Sequence, residues 1–576
     1  MTRTRRFAAV AALVAAVVWT GSGCTVIPVS GPFTVDEAGA GDPLSKPFQR
    51  MIAIEPQPNW TPEETIRGLQ AAMAAYPDDP STLPKYLTPE AQSKWNASGP
   101  VTVIEDLYDV VQVPPRDGLE TVTKVMVRGR WVAGIHEDGS YLPTGGPWDK
   151  SYELLKDPRG GYRVNSLPPG LLLTAADVAR AYRATNLYYP SRNSQDRLVV
   201  DRVRLRLKPT QRYAQTILER LIQPPSEALQ GAVLSSFPPG TKIESVTSGE
   251  ERVVINLSGP LDTLDLGVEQ ALTAQIRTSL NRNDVAKGRT IEIQVDGEPY
   301  AVDRPNSELN WLANDAERPF YINRGALHSL GKDGPAGPVP GAAGEQHEEF
   351  RDFALSNEST ALIAARADSG VWVAGLTAQG RWQEVIQGTD LTPPTWHRDG
   401  SLWTYDRKNA VLLRYDPTSG RGAERVAAPK LVGLDVTKLR IARDGVRVVV
   451  TTGKNTVQIG ALTGEGAGMM LGNLRLLTTT EQSDEIIDIA WEGDEHLLVL
   501  VKSKAGPILN EINVADGETV GVPLKDRLKS VAALEDRVLV EATTDKGTKI
   551  LELSPDRQTW TPKVETNGGT PLFPLG

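Results

Sequence analysis

Tight turns built on Asp-Gly or Gly-Asp recur in the C-terminal part of the chain, and their spacing constrains the fold more than any other feature. Asp399-Gly400, Asp444-Gly445 and Gly493-Asp494 lie 45 and 50 residues apart, each near the end of an apolar strand. Paired apolar stretches fill the intervals: 446–451 with 457–462, 497–502 with 508–514, and 538–543 with 549–553. A repeat of about 40–50 residues with roughly four strands predicts a β-propeller, because a lone blade cannot bury both faces of its sheet. Residues 350–576 then form an all-β propeller of five or six blades, the sixth arising if the preceding connector adds strands. The stretch Leu439-Arg440-Ile441-Ala442-Arg443-Asp444-Gly445-Val446-Arg447-Val448 has the form of one blade hairpin, with Asp-Gly setting the turn.

The other end of the chain carries a different signal. One cysteine among 576 residues excludes an intrachain disulfide framework and a cysteine-based zinc cluster. It sits at Cys24, after a basic segment with Arg3, Arg5 and Arg6 and a 13-residue apolar run over 7–19. A membrane-spanning helix needs about 20 apolar residues, so this run has the length of a signal-peptide core instead. Thr20-Gly21-Ser22-Gly23-Cys24 resembles a bacterial lipobox, with Gly21 where that pattern prefers Leu. A thiol is the side chain suited to a thioether bond with a diacylglyceryl group, and small residues before it leave room for a peptidase. Cys24 is therefore the expected lipidation site, 1–23 a lipoprotein signal peptide, and 24–50 a Gly/Pro/Ser-rich tether. Several acyl chains at about 0.8 kcal/mol per buried CH₂ anchor a protein stably to a membrane. Cleavage removes three Arg and no acid, so the formal charge goes from −10 to −13. That acidity speaks against a nucleic-acid partner, which requires a basic surface.

Two α+β units are expected between tether and propeller. In 51–190, Thr61-Pro62-Glu63-Glu64 has the form of a helix start: a capping hydroxyl, Pro in the first turn and acids at the positive dipole end. A second helix over 88–95 precedes strands over 101–113, 121–135, 148–155 and 161–165. Helices followed by antiparallel strands suit a cone of the nuclear-transport-factor-2 type. Trp95, Tyr108, Trp131, Trp148 and Tyr152 then either fill its core or line a ligand cavity. In 196–305 the pattern reads β-α-β-β-α-β, with strands over 198–207, 242–247, 253–257 and 290–295 and helices over 210–222 and 266–280. Here Phe237-Pro238-Pro239-Gly240-Thr241-Lys242-Ile243, Val254-Ile255-Asn256-Leu257-Ser258 and Val295-Asp296-Gly297 resemble a GerMN domain, a family with no assigned catalytic residues. Residues 306–349, Gly/Pro-rich over 331–344, read as a connector.

Lipobox, α+β unit, GerMN section and propeller, in that order, resemble the LpqB-type actinobacterial lipoproteins. The resemblance implies a protein of the extracytoplasmic face of the cell membrane, held by lipid. It also implies a non-enzymatic accessory of the MtrB sensor histidine kinase, in a two-component system (MtrAB type) linked to cell-cycle and envelope homeostasis. Its expected partner is the kinase's extracytoplasmic domain. A hydrolase or ligand carrier built on propeller or cone, and a scaffold contacting peptidoglycan, are the alternatives.

Chemical motifs are sparse. Glu345-Gln346-His347-Glu348-Glu349 offers oxygens beside one imidazole but no second nitrogen ligand, so no metal site is expected. Ser329-Leu330-Gly331-Lys332 matches Ser-x-x-Lys but runs into Gly and Pro, where a helix start is required. Asp262 and Asp265 precede a helix and read as capping acids. No catalytic residue and no cofactor is expected.

Overall fold

The computed structural model describes residues 52–576, apart from 77, 98, 115–121, 194–196, 207–212, 301–317, 358–359, 523, 525–526 and 546. Cys24, the signal peptide and the tether therefore lie outside the described residues, as does the start of the connector. The described residues divide into two units: one runs to Trp131 and resumes over Gly146–Asp177, and the other comprises Val132–Gly145 and Val178–Gly576.

In the first unit the Thr61 hydroxyl accepts from the Glu64 amide at 3.2 Å, and the Glu64 carboxylate accepts from the Thr61 amide at 2.8 Å. This reciprocal box starts helix α1 (Pro62–Ala75) where the sequence placed it. Its buried stripe of Ile66, Leu69, Ala72 and Met73 lies on the sheet side. A short α2 (Pro89–Lys94) follows. The strands of its sheet are β1 (Val101–Ile104), β2 (Asp109–Val113), β3 (Val122–Ile135), β5 (Pro147–Lys156), β6 (Tyr162–Ser166) and β7 (Leu171–Thr174); β3 passes into the second unit at Val132, and β4 (Tyr141–Pro143), paired with that end of β3, belongs to the second unit. They order as β6-β5-β3-β1-β7, with β2 and β4 also on β3. The single strand expected over 101–113 is two strands, and β1 pairs with β7 in parallel, Val103 opposite Leu173. Trp148 and Tyr152 are buried, and Trp95, Tyr108 and Trp131 are half-buried.

The second unit takes up the chain at α3 (Ala175–Ala181), β8 (Tyr182–Pro190) and β9 (Leu198–Arg206). Then come α4 (Tyr213–Ile222), β10 (Lys242–Ser248), β11 (Arg252–Ser258), α5 (Leu266–Arg282), β12 (Thr290–Val295) and β13 (Glu298–Pro299). The strand and helix positions read from the sequence are present, but their pairing differs. β9 does not join the sheet of β10-β11-β12-β13; it pairs along its whole length with β8, Tyr182 opposite Arg206 and Pro190 opposite Leu198. The boundary expected at 190 therefore falls inside the architecture it was meant to close. β8 contributes Leu187 and Tyr189 to the same core as Ile217, Leu221, Ile255 and Leu272.

Six four-stranded sheets form the propeller. Blades 2 to 6 occupy residues 351–387, 395–426, 436–479, 485–522 and 527–564. Blade 1 is composite: Phe320–Asn323, Ala326–Gly331 and Gly334–Pro338 are joined by Gly569–Leu572, the last strand of the chain. The innermost strands touch in a closed ring, with Gly569–Leu572 between those of blades 6 and 2. The connector expected over 306–349 thus contains three strands of a blade. Gly334-Pro335-Ala336-Gly337-Pro338 escaped notice because it is the outer edge strand, where Pro needs no donor and no apolar alternation is required. Asp-Gly turns connect the first two strands of blades 3 and 4. At blade 4 the Asp444 carboxylate accepts from the amides of Val446 and Arg447 at 2.7 and 2.9 Å, while Gly445 takes φ +72°.

Candidate functional site

The repeat turns are tied to one another before anything is attached to them. His397 reaches the Gly445 carbonyl at 2.7 Å, and Arg398 donates to the Arg443 carbonyl at 2.8 Å. Arg443, 3% exposed, donates to the carbonyls of Trp491 at 2.8 Å, Ala533 at 2.7 Å and Pro574 at 3.3 Å. One guanidinium from blade 4 thereby holds blades 5 and 6 and the segment that follows the closing strand.

The GerMN-like section sits on these turns through β8, β9 and the loop between them. Arg202 and Arg204 alternate along β9, so both point to one side. They meet the Asp516 carboxylate at 3.2 and 2.8 Å, in the turn before the outer strand of blade 5. Arg197, 1% exposed, pairs with Asp494 of that blade's first turn at 2.9 Å. Burial pushes the Asp494 carboxyl up, against the pull of Arg197. Asn186 donates to Glu495 at 3.2 Å, and Arg192 pairs with Glu465 at 3.1 Å. From the propeller side, Arg447 is held by Asp444 at 2.7 Å and also donates to the Val200 carbonyl. The apolar core is continuous across the contact, with Val446 and Ala461 in the cluster that holds Val203 and Leu218. At Gly517, φ +71°, a side chain would stand 2.2 Å from the Pro143 ring, so the hairpin of β4 seats directly on blade 5.

Between these contacts lies a cavity of about 240 Å³ lined by Asp201, Ser226, Lys430, Arg447, Asn473 and Arg475 among others. Asp201 accepts from the Ser226 amide and hydroxyl, both at 2.7 Å. Burial, then the neighbouring Arg447, lowers the Arg475 guanidinium to about 10.

A second, open groove of about 590 Å³ lies on blade 2, where His347, Phe350, Trp372 and Trp382 line it beside Glu348, Glu349 and Asp368. The Phe350 and Trp382 rings are 4.4 Å apart, and His347 Nδ1 is 3.0 Å from Glu349. The His347 segment is therefore part of an aromatic cluster, and among the described residues no group of three His, Cys, Asp or Glu is placed to hold a metal. Ser329 lies in a strand opposite Phe320, with Lys332 in the turn beyond it, so the pair has no helix to present it. Asp265 occupies the N-cap of α5 without a capping hydrogen bond, and Asp262 is exposed three residues earlier. Among the described residues no helix is long and apolar enough to cross a membrane.

Sequence signals for the junction existed only in part. The alternation of Arg202 and Arg204 on β9 was visible, but their carboxylate lies 312 residues away for Arg204. Nothing in periodicity links such positions.

Comparisons with known proteins follow the same division. Residues 55–179 match the lipoprotein LpqB N-terminal domain, 186–301 the sporulation and spore germination (Germane) domain, and 325–574 the lipoprotein LpqB β-propeller domain. The chain is 28% identical to the lipoprotein LpqB of Thermobifida fusca, covering 96% of each chain. It is 27% identical to that of Streptomyces coelicolor, covering 96% of this chain and 95% of the relative. Among solved structures, one from a nidogen/laminin complex aligns with 44% of this chain and 97% of its own, at 10% identity and a TM-score of 0.35. The Germane match begins inside β8, and the propeller match opens on Ala326–Gly331 and Gly334–Pro338, two of the three strands hidden in the connector. With the three domains in one order along nearly its whole length, the chain belongs to the LpqB lipoprotein family.

Proposed function

We propose that the protein is a non-enzymatic accessory of a two-component sensor histidine kinase of the MtrB type. In this reading Cys24 carries the lipid, and the folded units stand on the extracytoplasmic face of the cell membrane. The observation that supports it best is the junction of Germane domain and propeller. Buried pairs such as Arg197–Asp494 and a shared apolar core make the two modules one body. Two modules that move together hold a partner's domain in a fixed orientation, whereas independently swinging modules hold only its position. A membrane tether adds to this by raising the effective concentration of a membrane-bound partner, so modest intrinsic affinity suffices.

The test is gentle crosslinking in intact cells, followed by solubilisation and recovery of the tagged protein. The kinase is expected among the recovered proteins, and its recovery should fall when Arg197 and Arg204 are replaced together by Met. Repeated recovery without any histidine kinase overturns the reading, and recovery of peptidoglycan fragments alone replaces it with a wall scaffold.

A further inference from the structure

Cations crowd the lining of the junction cavity. Arg202, Lys430, Arg447 and Arg475 line it, against Asp201 and Glu227. Arg447 is matched by Asp444 and Arg202 by Asp516, and Asp201 accepts from the Ser226 amide and hydroxyl. That leaves two cations whose hydrogen-bond partners among the described residues are backbone carbonyls. Arg475 Nη2 donates to Val514 at 2.9 Å and Ala515 at 3.4 Å, and Lys430 Nζ to Leu474 at 3.3 Å. The other terminal nitrogen, Arg475 Nη1, is buried without a hydrogen-bond partner.

A buried guanidinium donor left unpaired has lost its hydration without gaining a protein hydrogen bond in return. The lowered Arg475 pKa has the same origin: burial beside a second guanidinium. Arginine presents its donors as a planar fork, the geometry that matches the paired oxygens of a carboxylate or phosphate. At about 240 Å³ the cavity has room for several waters of roughly 30 Å³ each, or for a small organic anion.

We propose that this cavity binds a small oxyanion, a carboxylate or a phosphate monoester, gripped by Arg475 and met at the rim by the exposed Lys430. The bound anion touches Ser226 of the Germane side and Asn473 of blade 4 at once, so its occupancy draws the two domains together. The site stands independently of the kinase reading.

The test uses the full-length lipidated protein in detergent at constant ionic strength, with inorganic phosphate, glycerol phosphate and succinate as separate probes and chloride as reference. A saturable rise in melting temperature is expected with at least one probe, together with slower amide exchange over 226–229 and 473–475. Response to glycerol phosphate above inorganic phosphate assigns an esterified ligand, and response to succinate alone a carboxylate. Lys430→Gln, on an exposed side chain, should weaken the effective probe at least tenfold, and Arg475→Met should abolish the response. No saturable response, a response equal to that of chloride, or full response in both variants overturns the proposal.

Discussion

Replacing Arg443 by Met tests whether the ring is held at its centre. Arg443 makes three charge-assisted hydrogen bonds to carbonyls of blades 5, 6 and the C-terminal segment. Each such bond contributes about 1.5–3 kcal/mol, so their loss alone costs roughly 4–9 kcal/mol. Met restores most of the packing volume and removes the desolvation cost of a buried cation, which returns several kcal/mol. The net destabilisation should be about 4 kcal/mol, or a factor of roughly 10³ in the folding equilibrium. Guanidinium titration followed by tryptophan fluorescence measures it, because Trp396, Trp403 and Trp491 are fully buried in blades 3 and 5. Arg443→Lys keeps the charge and reaches fewer carbonyls, so its midpoint should lie between the other two. A loss below about 1 kcal/mol for the Met variant, at unchanged denaturant slope, refutes the idea that one guanidinium joins the blades.

Three further outcomes follow from named contacts. Arg197→Met strands the Asp494 carboxylate and should cost about 3 kcal/mol near neutral pH; acid should restore part of this, since that carboxyl, already pushed up by burial, then takes a proton. Glu492, 5% exposed, is raised from 4.5 to about 7 by burial and then by Glu511, which together outweigh its pairing with Arg557. The folded state therefore holds a proton that the unfolded chain releases near pH 4.5, so stability falls as pH rises from about 4.5 to 7, by about 3 kcal/mol; Glu492→Gln should flatten that slope in denaturant midpoints measured between pH 5 and 8. Cys24→Ala should leave an uncleaved or soluble exported species, and membrane retention unchanged after carbonate and high-salt washing would contradict lipid anchoring.

What could be read in the sequence was local. The capping box at Thr61 and Glu64, the helix expected over 266–280 and the Asp-Gly turns depend on residues a few positions apart, and each is where its spacing placed it. β8 was missed because Thr185-Asn186 interrupts its apolar pattern, and only pairing with β9 makes it a strand. The Gly-Pro edge strand of blade 1 imitates a linker because its stability comes from the inner strands, not from its own side chains. The junction was the least legible part. Arg197 and Asp494 stand 297 residues apart and come together only where the two domains meet.

The closing strand of blade 1 has a bearing on how the protein is made. Phe320–Asn323 leaves the ribosome long before Gly569–Leu572, the strand that must be inserted inside it. During synthesis the first blade therefore waits with an unpaired inner edge, the kind of surface that invites pairing with other chains. A chain that stops short by a dozen residues retains every motif that announces a propeller, yet it cannot close the ring. Premature termination or clipping at the tail should thus act as an all-or-none defect, leaving an open arc for quality-control proteases to remove.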